Sequence, residues 1–491
     1  MNLRAVLCSL FLLIGLSGAQ ANLQTFEGID ASTAGANVRC CVIDMNGAVG
    51  TKQYLEWVDS AYQGYNKTAP FAAVTPVIAG DTPWLQDGPN CQGYAGNGVI
   101  LFDHLASRWI VAVRQGVPGT YYYCIAISNT DDLTSPTFQW YSYVQPLNAI
   151  IGANPSGTTY FPDYPKIGTW PNGYYVSFDV EDPDNSFQNV GVLVCAFDRS
   201  NMLKGNAMRT PQCFNYPSVY SGEFLGHSVL PADVEGTVAP AATTPETLVS
   251  IENPSTGTTS STVNFWQFNV NWTAPTLTTF TGPTAVKVPN YTPACYTVSD
   301  PYDTGCVPEP TSISTGVYLD SLGDRLMHRL AYHRFPTAPY NTFVVSQTIQ
   351  VAAGSLAQTG VRWYEFEPPG KLLRSGTVTA PGGDYRFLPS AAQDQKGNLA
   401  LGFSVSGTGL SPSIHAAYLN LRGGSLVPTE FDILTGTADD EYNYRWGGYS
   451  SMTVDPVDDC TFWYVNEYFT VPQIKSLTWQ TRIANFHVPG C

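Results

Sequence analysis

One local form recurs along this chain: a turn rich in Asp, Asn, Gly or Pro, then a short apolar strand. Asp44-Met45-Asn46-Gly47 precedes Tyr54-Leu55-Glu56-Trp57-Val58, and Asp103-His104-Leu105-Ala106-Ser107 precedes Arg108-Trp109-Ile110-Val111. Trp170-Pro171-Asn172-Gly173 leads into Tyr174-Tyr175-Val176-Ser177-Phe178, and residues 239–246 lead into Thr247-Leu248-Val249-Ser250-Ile251. Asp324 to Met327 stands before Arg329-Leu330-Ala331-Tyr332, Asp394-Gln395-Lys396-Gly397-Asn398 before Leu399-Ala400-Leu401-Gly402-Phe403, and Asp455-Pro456-Val457-Asp458-Asp459 before Cys460-Thr461-Phe462-Trp463-Tyr464. Aromatic and β-branched runs bounded by turn residues are strand signals. Each interval is long enough for one four-stranded antiparallel unit. Such a unit buries both faces only between neighbours, so the units should close into a ring. The expected fold is all-β: a single β-propeller of about seven four-stranded blades, stapled by disulfides and spanning residues 22–491. A string of β-sandwiches would need linkers, and the one weak candidate is the Thr/Ser-rich stretch 254–262. No long segment has helical periodicity; short helices are expected only near Asn201 to Leu203 and Ser321 to Met327.

The N-terminus sets the compartment. Arg4, an apolar run from Ala5 to Leu16 and small residues through Ala19 and Ala21 have the order of a secretory signal peptide, residues 1–21. The run is too short for the ~20 residues that span a bilayer. A secreted protein, extracellular or periplasmic, is expected. Of the eleven cysteines, Cys8 leaves with the signal. The rest are expected as structural disulfides. Spacing suggests Cys91 with Cys124, Cys195 with Cys213, Cys295 with Cys306 and Cys460 with Cys491, although sequence alone does not settle connectivity. The adjacent Cys40-Cys41 is poor zinc spacing. Asn66-Lys67-Thr68, Asn271-Trp272-Thr273 and Asn290-Tyr291-Thr292 have the form of N-glycosylation acceptors.

A net charge of −16 argues against a nucleic-acid partner, which Lys and Arg would have to hold. A monomer without a membrane span is expected. There is no G-x-S-x-G elbow, P-loop or H-E-x-x-H spacing. Asp44-Met45-Asn46-Gly47 opens like a calcium loop, but Leu55 stands where that loop needs Glu. No cofactor is expected; calcium, held elsewhere by carbonyls and carboxylates, is the one ion an acidic exported chain of this kind could take.

Four strings are familiar: Asp163-Tyr164-Pro165-Lys166-Ile167-Gly168, Leu319-Asp320-Ser321-Leu322-Gly323-Asp324-Arg325-Leu326-Met327, Val361-Arg362-Trp363-Tyr364-Glu365, and Tyr444-Arg445-Trp446-Gly447-Gly448-Tyr449-Ser450-Ser451-Met452-Thr453-Val454-Asp455-Pro456. On these, over nearly the whole mature length, the chain resembles a large group of secreted bacterial proteins, labelled hypothetical, that look like β-propellers. The resemblance implies the fold and export and no established reaction. Its architecture is like that of propeller sialidases, polysaccharide lyases and rhamnose-cleaving enzymes, an analogy of fold alone.

A propeller takes ligands at a mouth of its channel, beside the loops that precede the innermost strands. The candidates are therefore Asp163, Tyr164 and Lys166; the charged group Asp320, Asp324, Arg325 and Arg329; Tyr444, Arg445 and Trp446 before the last blade; and Trp84 with Asp87 in an early loop. Glycoside hydrolysis needs two carboxylates, which Asp163, Asp320 and Asp324 could supply from different blades. An eliminating lyase would use Tyr164, Tyr444, His328 or His333 with Lys166, Arg325 or Arg445. The expected partner is an extracellular glycan, bound at one mouth by a hydrolase, a lyase or a non-catalytic binding or adhesion propeller. The competing structural reading makes Asp320 to Arg329 an ion-pair network that pins the blades, and makes Trp84, Trp170 and Trp446 inter-blade packing.

Overall fold

The computed structural model describes residues 22–35, 43–93, 97–217, 219–220, 223–224, 227–252, 259–295, 305–335, 340–351, 358–379, 383–474 and 477–491. Its strands form seven antiparallel four-stranded blades in chain order. Their innermost strands are Asn46–Val49, Val99–Asp103, Phe161–Trp170, Leu230–Glu235, Leu330–Arg334, Tyr385–Gln393 and Ser451–Val454. Each packs beside the next, and the seventh beside the first, so the ring closes. Blade 7 is completed by the N-terminal strand Gln24–Asp30, which pairs with Trp479–His487. Blades 4 and 5 are joined more closely than the rest. Their innermost strands pair in parallel, Ala232 opposite Leu330 through Glu235 opposite His333, giving one continuous eight-stranded sheet.

The turn signature has a clear place. In blades 2, 3, 4, 6 and 7 it is the turn between first and second strands; in blades 1 and 5 it is the entry to the first strand. Asp recurs there because its carboxylate accepts from backbone N–H groups two to four residues on. Asp103 accepts from Leu105 and Ala106, Asp394 from Lys396 and Asn398, and Asp455 from Val457.

The apolar core is divided among the gaps between neighbouring blades. Val99, Ile110, Tyr123, Ile167, Tyr174 and Leu193 fill the gap between blades 2 and 3, and Leu399, Phe403, Trp363 and Val378 that between blades 5 and 6. Residues 201–202 lie in the short helix Arg199–Met202, but Ser321 to Met327 is turn and extended chain. Other helical turns occur at Ala31–Ala34, Asn148–Ile151 and Ser312–Thr315. The stretch 259–262 enters the third strand of blade 4, Ser260–Asn269. The four disulfides suggested by spacing are present: Cys91–Cys124, Cys195–Cys213, Cys295–Cys306 and Cys460–Cys491. Residues 1–21, with the expected signal peptide, and Cys40-Cys41 lie outside the described residues. No helix among those described is long and apolar enough to cross a membrane.

Candidate functional site

With four antiparallel strands to a blade, each blade's outermost strand ends on the side of the ring where the next blade's innermost strand begins, here called the upper mouth. Blade 3 supplies its floor. Phe161–Trp170 pairs with Gly173–Asp182, Asp163 opposite Asp179, and the register shifts before Lys166 meets Ser177. This bulge puts Tyr164 at φ 49°, a left-handed conformation that costs a non-glycine residue on the order of 1–3 kcal/mol. Contacts across the mouth offset that cost. The Tyr164 hydroxyl donates to the Gly448 carbonyl, and the Tyr449 hydroxyl donates to the Pro165 carbonyl at 2.8 Å. Lys166 Nζ lies between the two rings, 3.0 Å from the Tyr164 centroid and 3.5 Å from that of Tyr449, with no hydrogen-bond partner among the described residues. Its residue is 1 % exposed, and burial pushes the amine well below the usual lysine range. His328, buried beside Tyr449, is held below the usual histidine range for the same reason.

Carboxylates surround this floor. Asp163 accepts from Asn97 Nδ2 at 3.0 Å, Asp179 from the Ser228 N–H at 2.9 Å, Asp44 from the Gly448 N–H at 2.9 Å, and Asp320 from the Leu322 N–H at 2.9 Å. Asp324 takes a two-pronged bond from Arg325, Nε at 2.8 Å and Nη2 at 2.9 Å, and the guanidinium sits 4.9 Å from the Tyr164 centroid. His227 stands between acids, Nδ1 3.5 Å from Asp179 and Nε2 3.8 Å from Asp324. Exposed Arg445 completes the rim, its charge favoured by Asp44 and Asp163.

These acids differ in proton affinity. Burial, reinforced by Asp163 and Asp179, pushes Glu181 up to about 8. Burial pushes Asp44 up to about 6 and raises Asp320 as well. Burial also acts to raise Asp324, but the Arg325 charge, with His227 beside it, overrides this and holds the group below the ordinary aspartate value. Arg325 thus bears on two acids that are pushed in opposite directions, Glu181 up and Asp324 down.

The candidates from sequence thus divide. Asp163, Tyr164, Lys166, Asp320, Asp324, Arg325 and Arg445 come together at the upper mouth, and half-buried Tyr444 joins them through its carbonyl, which accepts from the Asp320 N–H at 2.8 Å. Trp446 lies beneath, packed on Phe387 and Phe469, with Nε1 donating to Ser404 Oγ. Trp84 is elsewhere, wholly buried in the core between blades 1 and 2, and Asp87 is exposed beside it. Trp170 is likewise core, against Tyr332.

Arg329 lies deeper, in the channel. It donates to Asp233 from Nε at 2.9 Å and Nη2 at 2.5 Å, to Glu235 from Nη1 at 2.5 Å, and to the Met452 carbonyl at 3.2 Å. Glu235 also accepts from the Val454 N–H, and Asp233 from Thr169 N and Oγ1. This lock ties blade 5 to blades 3, 4 and 7. His333 lies beyond it, paired with Asp459 at 2.9 Å.

Sequence reasoning missed Asp44 as a mouth residue, Asp179, Glu181 and His227. The calcium-loop resemblance drew Asp44, but Asn46 and Gly47 belong to the first strand of blade 1. Glu181 had a signal in the acidic run Glu181-Asp182-Pro183-Asp184 at a strand end. Among the described residues, no three of His, Cys, Asp and Glu are grouped so as to hold a metal ion. Of the sequons, Asn290 is exposed, whereas the Asn271 side chain accepts from the Thr273 and Ala274 N–H groups.

No family model and no curated protein matches the chain. Solved structures similar to it include a Penicillium chrysogenum α-L-arabinanase complexed with arabinobiose (9 % identity, 68 % of this chain and 96 % of that one, TM-score 0.33). A subtype N10 neuraminidase-like protein of A/little yellow-shouldered bat/Guatemala/060/2010 matches at 9 % identity over 77 % of this chain and 96 % of that one, TM-score 0.36. A Synechocystis apocarotenoid oxygenase mutant matches at 8 % identity over 82 % of this chain and 73 % of that one, TM-score 0.41. None of these likenesses reaches the level at which chemistry follows from it.

Proposed function

We propose that this protein is exported and acts on a neutral extracellular glycan at the upper mouth, as a glycoside hydrolase. The observation that carries the reading is a carboxylate, Asp324, clamped by both prongs of Arg325 over the Tyr164 ring, with a second acid, Glu181, that burial and its neighbours push toward the protonated form. Glycosidic cleavage needs one carboxylic acid to protonate the leaving oxygen and one carboxylate to act as base or nucleophile. Glu181 suits the acid and Asp324 the carboxylate, and Arg325 keeps Asp324 in one orientation. The charge balance also separates hydrolase from lyase. Asp44, Asp163, Asp179, Asp320 and Asp324 outnumber Arg114, Arg325 and Arg445, so a polyuronate would meet repulsion where elimination needs its carboxylate neutralised. The signal-like N-terminus and four disulfides support export.

The non-catalytic alternative has its own support. Asp44, Asp179 and Asp320 already accept backbone N–H bonds, as acids that only shape loops do. A panel of neutral and uronate polysaccharides separates these readings. New reducing ends from a neutral member are expected. Unsaturated products would mean a lyase, and retained binding without turnover would mean a binding propeller.

A further inference from the structure

The mouth holds one group that the hydrolytic reading does not use. Lys166 is a primary amine with no hydrogen bond among the described residues, its side chain closed between two ring faces and its Nζ set among Asp44, Asp163, Asp179 and Arg325. A buried ammonium ordinarily finds acceptors, because stranding a charge in a dry site is costly. Here the carboxylates all bond elsewhere: Asp44 and Asp179 to backbone N–H groups, Asp163 to Asn97. The rings exclude water on two sides. An amine so placed serves as a nucleophile better than as a charge, and desolvation in an apolar pocket is a recognised means of activating lysine.

We propose that Lys166 is a carbonyl-capturing amine, forming an imine with an aldehyde that enters the upper mouth. The nitrogen lone pair adds to the carbonyl carbon, and the carbonyl oxygen takes a proton from a neighbouring carboxylic acid. Of the acids whose fields reach the amine, Asp44 is the one that burial raises, to about 6, so it can give a proton and take it back from the nitrogen. The carbinolamine then loses its hydroxyl as water with a second proton supplied by the acid, while nitrogen releases its two protons to the carboxylates. The balance is one amine and one aldehyde giving one imine and one water, with no oxidant or reductant. The ligand class is a small aldehyde or the open-chain reducing end of a sugar; the sugar as source rests on the glycan reading, whereas the amine site does not. Access depends on Tyr164, whose hydroxyl bond to Gly448 holds its ring over the amine.

The test is reductive trapping on the mature protein. It is incubated at pH 7 with glycolaldehyde, and separately with a neutral trisaccharide, each with sodium cyanoborohydride, and lysine adducts are mapped by mass spectrometry. Lys166 is expected to be labelled several-fold faster than Lys52 and Lys371, which are exposed and ion-paired. Labelling of Lys52 should fall about tenfold for each pH unit below its pKa, while Lys166 should hold its rate. Tyr164→Phe, which deletes the bond to Gly448, should speed labelling of Lys166. Adducts on Lys52 and Lys371 with none on Lys166, in both wild type and Tyr164→Phe, overturn the proposal. Trapping by the trisaccharide assigns the sugar source, and trapping by glycolaldehyde alone assigns a small aldehyde. The glycan reading stands apart: turnover without trapping removes the imine and leaves the hydrolase, and trapping without turnover on the neutral panel does the reverse.

Discussion

The lock at Arg329 and the upper mouth draw on the same residue types, with opposite outcomes. In the lock, one guanidinium satisfies two acids and a carbonyl, and those acids bind the backbone of other blades. Only Glu235 Oε2 is left without a partner. At the mouth, acids outnumber cations, an amine has no acceptor among the described residues, and one acid is pushed up by burial while another is held down by an arginine. A saturated set of charges holds blades in register; an unsaturated one stores reactivity, and perturbed groups gathered in one cleft mark a functional site.

The largest effect should come from breaking the lock. Arg329→Met leaves Asp233 and Glu235 buried without their cation, and about 3–5 kcal/mol should be lost in urea denaturation. A loss below about 1 kcal/mol would place Arg329 outside the load it is assigned here.

Next in size is a pH effect from acids at and beneath the mouth. Glu181 and buried Glu467, which accepts from the Gly447 N–H, are both raised to about 8 from the ordinary 4.5, burial being the main cause. The folded chain keeps protons there that the unfolded chain has lost. The stability is complete below 4.5 and is lost as pH rises through about 8. Unfolding free energy should therefore fall between pH 5 and pH 8, by about 2 kcal/mol in all, since screening by water and local relaxation keep each group well under the limit of about 1.4 kcal/mol per pH unit. Glu467→Gln should flatten the slope, and an unchanged slope in that variant would remove Glu467 from the account.

Smaller still should be Asp324→Asn, which keeps a hydrogen bond to Arg325. Stability should change by about 1 kcal/mol while turnover on a neutral glycan is lost. If the variant unfolds at ordinary temperature instead, Asp324 belongs with the lock. Arg445→Ala, at an exposed position, should shift stability by less than about 0.5 kcal/mol yet weaken glycan binding, as titration calorimetry would show.

Much of the ring was legible because its turns are local chemistry: Asp103, Asp394 and Asp455 cap their own turns, and Gly, Asn or Pro punctuates the others, so seven recurrences gave the blades. The closing strand Gln24–Asp30 was not legible, since nothing local in it specifies a partner at the far end of the chain. The parallel join of blades 4 and 5 depends on inner-strand geometry in the same way. At the mouth, Asp163, Lys166 and Asp324 stood out as charges in a charge-poor sequence. Arg329 stood out equally but points into the channel, a few residues of chain from Arg325. Glu181 and His227 came into view only when the blade 3 sheet and the loop after it were folded onto the same opening.

The central claim is that the mouth is a reaction site with Glu181 as its acid. The direct measurement is release of reducing ends from neutral polysaccharides by wild type and Glu181→Gln, with thermal melting of both. Hydrolysis by wild type, a fall of about a hundredfold or more in the variant and an undiminished melting temperature are the expected results. No hydrolysis of any neutral polysaccharide, or a variant that retains the full rate, would contradict the account.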